Sequence, residues 1–268
     1  MGKQRTNQPR RKKKKKGDLL LTLALIAAIA VFCFAAYNLF HIYTEYKKGT
    51  DEYNHIEQMA VTDRAPEDEE LVDAVSEPKP PISVDFDTLK SVNPDVVGWI
   101  YIEALDNINY PVVQGDDNET YLHTTYENNY NFAGTIFVDY ENSSDFSDCN
   151  TLIYGHNMKN GTMFSDVTQY RDKAYWEEHP YIEFETAGGL RIYQVFAVVC
   201  LKKTDEWYGF SCFESKEQYQ KAISEIKDRS LYDTGIEPQF KEQLITLSTC
   251  FGDSKDSRMV VIGVEQIR

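Results

Sequence analysis

Between Leu19 and Phe40 the chain runs for 22 residues without a single Asp, Glu, Lys or Arg. As a helix rising about 1.5 Å per residue, such a stretch spans the ~30 Å hydrocarbon core of a bilayer. Immediately before it, Arg10 to Lys16 are all basic, and the first 16 residues hold nine Lys or Arg and no acid. The positive-inside rule then keeps residues 1–17 in the cytoplasm as a basic tail, makes 18–40 a transmembrane anchor and puts the rest outside. A cleaved signal peptide is the competing reading, but its apolar region is about 7 to 15 residues long and ends in small residues. Here Tyr37, Asn38, Leu39, Phe40, His41 and Tyr43 follow, an interfacial belt that favours an uncleaved anchor. A nucleic-acid role for the lysine run is disfavoured, because the span starts at once. Beyond residue 16 only 19 of the 28 basic residues remain against all 43 acids, a net charge of −24, so no nucleic-acid partner is expected.

From His41 to Pro81 there are 11 acidic and four basic residues, ending in Glu-Pro-Lys-Pro-Pro. Residues 41–81 read as an acidic stalk, helical at first to about Met59 and then too charged and proline-rich to bury itself. The stalk is expected to contribute nothing to a core, so the folded domain is expected at 82–268.

Within that domain eight short runs are rich in Val, Ile, Tyr, Phe and Thr and bounded by turn residues: 97–102, 108–113, 135–139, 151–154, 181–185, 190–201, 244–249 and 259–265. Such runs predict strands, and eight of them predict a mostly β fold, a closed or nearly closed barrel. Helical spacing of Tyr219, Ala222, Ile223 and Ile226 predicts a peripheral helix over 215–230. A shorter one begins near Asp85.

Two predicted strands end in reactive side chains. Leu244 to Thr249 delivers Cys250, Thr151 to Tyr154 delivers His156, and Arg258 opens the last strand eight residues after the cysteine. A thiol attacks as thiolate, which neighbouring imidazolium and guanidinium charges favour. A fixed guanidinium can also receive a developing oxyanion. By spacing alone, an inert buried thiol remains the alternative. Strand alternation puts Ser248 on the same face as Cys250.

Together Tyr154-Gly155-His156-Asn157-Met158, Thr246-Leu247-Ser248-Thr249-Cys250 and Arg258-Met259-Val260-Val261-Ile262-Gly263 resemble the sortases, membrane-anchored cysteine transpeptidases of Gram-positive bacteria. The long insertion before the cysteine strand, Asn109 to Gln114 and Asn118 to Leu122 resemble class B in particular. The resemblance implies a sortase-type eight-stranded barrel with peripheral helices. It also implies a thioacyl enzyme formed by Cys250 at a threonyl carbonyl of a C-terminal sorting signal. His156 would then act as acid and base, and Arg258 would hold the oxyanion or the substrate backbone. Asn118, Leu122, Tyr154 and Ser248 match substrate-lining positions, although core packing remains open for Leu122 and Tyr154. The implied partners are surface proteins bearing a sorting signal, an amine of a peptidoglycan precursor or a pilin lysine, and the cell membrane.

No cofactor or metal is implied, since the acidic clusters at 139–148 and 205–206 lack calcium-loop spacing. Asp253 and Asp256 lie where they could orient the histidine or arginine, with a solvated turn the favoured reading; His123, His179, His41 and His55 read as surface or interface residues; and a Cys149–Cys212 disulfide is open but disfavoured. A catalytically idle, membrane-tethered binding module is the second reading, disfavoured because all three reactive residue types are present.

Overall fold

The computed structural model describes residues 16–63, 82–103, 108–209, 215–252 and 254–266. Expectations that fall on the basic tail before Lys16, on residues 64–81, on Cys212 and on Asp253 lie outside them. Two units are distinguished, Met1–Glu45 and Tyr46–Arg268.

In the first unit, leucine and alanine, both strong helix formers, open a helix, α1 (Lys16–Ala60). Its side chains from Leu19 to Phe40 are exposed nearly all round, with Leu21, Phe32 and Phe34 each about 70% accessible. A helix apolar on every face suits a lipid environment, and this one is long and apolar enough to cross a membrane.

In the second unit the same helix changes character. Gly49, Tyr53, Ile56 and Ala60 are buried, spaced four, three and four residues apart, so they form one stripe on the helix. Tyr53, Ile56 and Ala60 belong to the main hydrophobic core. Residues 46–60 therefore differ from the expected stalk. Two lysines, three acids and Thr50, Asn54, His55 and Gln58 make this stretch polar on average and conceal the apolar stripe. The strand β1 (Val61–Asp63) then pairs antiparallel with β2 (Ile82–Val84), and Asp85 N donates to Ala60 O at 2.8 Å. The folded unit thus begins at Tyr46 and not at the expected 82.

The expected short helix is α2 (Phe86–Val92), capped by the Asp85 carboxylate, which accepts from Asp87 N and Thr88 N at 3.1 and 3.0 Å. All eight predicted strands form: β3 (Val96–Tyr101), β4 (Asn109–Val113), β5 (Ile136–Val138), β6 (Asn150–Tyr154), β7 (Tyr181–Thr186), β8 (Gly189–Lys202), β9 (Leu244–Cys250) and β10 (Ser257–Glu265). They close into a barrel in the order β10-β8-β7-β3-β4-β5-β6-β9. Only β4–β5 and β6–β9 pair parallel. Closure leaves no free sheet edge.

The outside of the barrel is covered where the long insertion returns. A short helix, α3 (Lys173–Glu178), precedes β7. The predicted helix α4 (Lys216–Asp228) starts at Ser215, whose hydroxyl accepts from Gln218 N at 3.2 Å. Its Tyr219, Ile223 and Ile226 pack with Trp207, Phe196, Leu244, Val260 and Ile262 in a second core. With one core inside and another outside, β9 is buried on both faces from Leu244 to Thr249.

Candidate active site

β6 and β9 run parallel, with Tyr154 opposite Ser248, so both strands deliver their next residues at the same rim of the barrel. There Gly155 N donates to Ser248 O (3.2 Å), Thr249 Oγ1 to Gly155 O (2.8 Å) and Asn157 Nδ2 to Cys250 O (2.9 Å). These bonds lock the His156 strand end to the Cys250 strand end. Gly155 is required here, since a Cβ would lie 2.6 Å from the Phe164 ring. Antiparallel pairing of β9 with β10 puts Arg258 directly opposite Cys250, within the reach of one cross-strand pair. A cleft of about 220 Å³ opens at this rim, and Cys250, His156, Arg258, Asn118, Leu122, Tyr154 and Ser248 all line it.

His156 is largely withdrawn from water, which lowers its proton affinity. The carbonyl of Leu122, 2.8 Å from Nε2, works in the opposite direction, and His123 and Arg258 lower it further. A carbonyl only accepts, so Nε2 carries hydrogen and Nδ1 is the atom that gains or loses the second proton. Arg258 Nη1 donates to the carbonyls of Lys255 and Ser257 at 2.9 and 3.0 Å, which moors the guanidinium on its own turn.

The far wall is held by Asp139, buried at 7% exposure. Its Oδ2 accepts from Tyr154 Oη (2.8 Å) and Asn118 Nδ2 (3.0 Å), and its Oδ1 accepts from Glu141 N (3.0 Å). Burial and the neighbouring carboxylate push the Tyr154 phenol well up, so it stays a neutral donor. Opposite, Tyr208 and Ser248 share a hydrogen bond of 2.8 Å between their hydroxyls, and the Tyr208 phenol is pushed up to about 12 by burial. Tyr208 reaches the cleft because Trp207 Nε1 is tied to Thr246 Oγ1 (3.1 Å) and Asp205 to Arg229 (2.5 Å).

Tyr208, Phe137, Thr249 and Lys203 line the cleft, and Asp139 backs it, without a sequence signal of their own. Tyr208 is one of the chain's 18 tyrosines and lies in the part of the insertion that shows no strand or helix period, so no signal marks it. Asp139 ends a predicted strand and stands at the head of the acidic cluster 139–148. His123, expected at the surface, is exposed but stacks on His156 with ring centroids 5.9 Å apart. Asp256 pairs with Lys203 at 3.0 Å, a contact that lowers its carboxyl. Within 139–148, Asp145 and Asp148 bind their own turn: Asp145 Oδ1 accepts from Ser143 Oγ and Ser147 N at 2.8 and 3.0 Å, and Asp148 Oδ2 from Asn142 Nδ2 and Ser143 N at 2.7 and 2.6 Å. Among the described residues no group of three His, Cys, Asp or Glu could hold a metal ion.

Residues 100–266 match the model of the sortase domain family. Sortase B of Listeria monocytogenes is 38% identical over 178 residues, which cover 65% of this chain and 71% of that protein. The crystal structure of Clostridium perfringens sortase B superposes with a TM-score of 0.64 at 34% identity, covering 68% of this chain and all of that one. A Staphylococcus aureus sortase B–substrate complex gives 0.69 at 30% identity, with 83% and 98% covered. From the closed barrel, the family match across its strands and these class B relatives, the chain belongs to the sortase family as a class B cysteine transpeptidase.

Proposed function

We propose that the protein cleaves a C-terminal sorting signal after a threonine, releases the carboxyl-terminal peptide and transfers the protein, through its new threonyl carboxyl end, to an amine of the cell wall. The Cys250 thiolate adds to the threonyl carbonyl, and Arg258 receives the oxyanion. The intermediate collapses with loss of the amine, which takes its proton from the His156 imidazolium, and leaves a thioester on Cys250. An incoming amine then attacks the thioester, His156 accepts its proton, and the thiolate departs. The observation that supports this reading is the convergence of the ends of β6, β9 and β10 on one cleft. Asn118, Leu122, Tyr154 and Ser248 form its substrate walls. The sorting-signal class of substrate follows from membership of the family, and a substrate complex exists for the S. aureus relative.

The apolar half of α1 anchors the chain once in the membrane, with the basic tail in the cytoplasm and the catalytic domain outside. Incubation with fluorogenic sorting peptides of the Asn-Pro-x-Thr and Leu-Pro-x-Thr-Gly kinds, plus a peptidoglycan-precursor amine or a pilin lysine, tests the reading. Mass spectrometry should detect the amide with the wall amine. Transfer to the pilin lysine alone would make the protein a pilin polymerase, and no turnover of any peptide would refute the assignment.

A further inference from the structure

His156 bonds to the carbonyl of Leu122, at the start of a loop whose later residues, from Glu127 to Thr135, meet the part of α1 that belongs to the second unit. Successive turns of α1 meet one loop. The Tyr46 ring packs edge-on against Phe132 (4.8 Å between centroids), and Gly49 lies against the Asn131 side chain. Glu52 accepts from Glu127 N at 2.9 Å and from Asn129 Nδ2 at 3.4 Å. Tyr53, buried and with its phenol pushed well up by that burial, donates to Gly134 O at 2.5 Å. Thr135 Oγ1 is a second acceptor at 3.1 Å.

From there the connection to the active site is short. Thr135 N donates to Tyr121 O (2.9 Å), and Thr135 Oγ1 to Thr124 O (2.8 Å). Gly134, at φ +57°, presses so close on the same peptides that a Cβ would fall 2.3 Å from Tyr121 O and 2.6 Å from Leu122 O. Leu122 O is the acceptor of His156 Nε2. Three hydrogen bonds, Tyr53 to Thr135, Thr135 to Tyr121 and Leu122 to His156, together with the covalent link from Tyr121 to Leu122, therefore connect a helix outside the barrel to the acid–base histidine. We propose that Tyr53 is a positioning residue for His156, acting through Gly134, Thr135 and the Leu122 carbonyl, and that residues 46–60 are part of the working active site. The proposal rests on the acid–base role assigned to His156 above.

The Leu122 carbonyl favours the protonated imidazole, so loosening it has a signature separate from lost stability: the His156 titration moves to lower pH. The groups facing His156 are His123 from the Leu122 segment, and Arg258, Cys250 and Lys203 around the cleft. None of them changes in the variants below.

The test uses the full chain in detergent micelles, with Tyr53→Phe, Thr135→Val and Thr135→Ser. Steady-state peptide cleavage gives kcat and KM, NMR of labelled histidines gives the His156 titration, and thermal unfolding gives stability. Tyr53→Phe and Thr135→Val should lower kcat about 10-fold or more, within the ~10²-fold that a 1 Å misplacement costs. KM should stay within about two-fold of wild type, and the His156 midpoint should fall. Thr135→Ser, which keeps the oxygen, should retain wild-type values. If Tyr53→Phe does not fold, Thr135→Val decides alone. Wild-type kcat in a folded variant, with or without a lower melting point, overturns the proposal and leaves α1 as a brace for the fold. If His156→Gln keeps wild-type turnover, the acid–base reading fails instead, and the His156 midpoint in Tyr53→Phe still reports whether the helix holds the ring.

Discussion

Cys250 and Arg258, eight residues apart in the chain, are direct partners across the β9–β10 ladder. A thiol and a guanidinium so paired share one face of the sheet, and the connecting turn is moored by the Arg258 bonds to Lys255 O and Ser257 O. In the proposed mechanism this pairing puts a fixed charge on the thiol's face of the sheet before substrate arrives, which is the condition for stabilising an oxyanion without reorganisation.

Arg258→Lys keeps the charge and loses the planar fork. Turnover of a sorting peptide should fall by about 10²-fold, the scale of one lost oxyanion donor. Stopped-time cleavage assays at saturating peptide measure it, and a wild-type rate would remove Arg258 from the chemistry.

Cys250→Ala should abolish both cleavage and transfer while leaving the fold intact, because the residue sits exposed at the end of β9 and little packing is lost. Circular dichroism and product analysis by mass spectrometry check the two halves of this statement. Any transfer product would require another nucleophile.

Asp139→Asn weakens the acceptor that holds Tyr154 and Asn118 together. Loss of one charge-assisted bond, about 1.5–3 kcal/mol, should raise KM for the peptide by about 10-fold or more. The effect on kcat should be smaller, since Asp139 touches neither Cys250 nor His156. Initial-rate kinetics separate the two parameters, and an unchanged KM would make Asp139 a fold residue alone.

Burial lowers the His156 proton affinity from its ordinary value of 6.5, so the unfolded chain binds a proton more readily than the folded one. Stability contributed by this site should be fully present above about pH 7 and be lost as pH falls through 6.5 towards the lower folded value. In His156→Gln the unfolding midpoint should therefore fall less between pH 7 and pH 5 than in wild type. Denaturant titrations at both pH values decide it; equal slopes would contradict the burial.

Ile56 is fully buried in the barrel's main core. Ile56→Ala should cost about 2–5 kcal/mol of stability, and a chain beginning at Ile82 should be less stable than one beginning at Tyr46. Equal chemical-denaturation midpoints for the two lengths would restore the boundary at 82.

Much of this protein was decided by sequence alone. The 22-residue uncharged run forms the exposed apolar part of α1, because no residue in it has a charge to keep in water. The eight β-rich runs all became barrel strands, since turn residues bound each one and side-chain alternation or burial fits each to a sheet. The strand-end positions of Cys250 and His156 were legible for the same reason. What only the tertiary structure decided depends on contacts between distant segments. Residues 46–60 have a polar average that signals solvent, and the Tyr53, Ile56 and Ala60 stripe acquires meaning only with the barrel to bury it. Asp139 looked like one acid in a cluster until β6 brought Tyr154 to it, and Tyr208 had no period to mark it until Trp207 was fixed on β9. Local pattern determines which segments can be strands or spans. The identity of a wall residue depends on closure of the barrel, which brings residues nearly a hundred positions apart within hydrogen-bond distance.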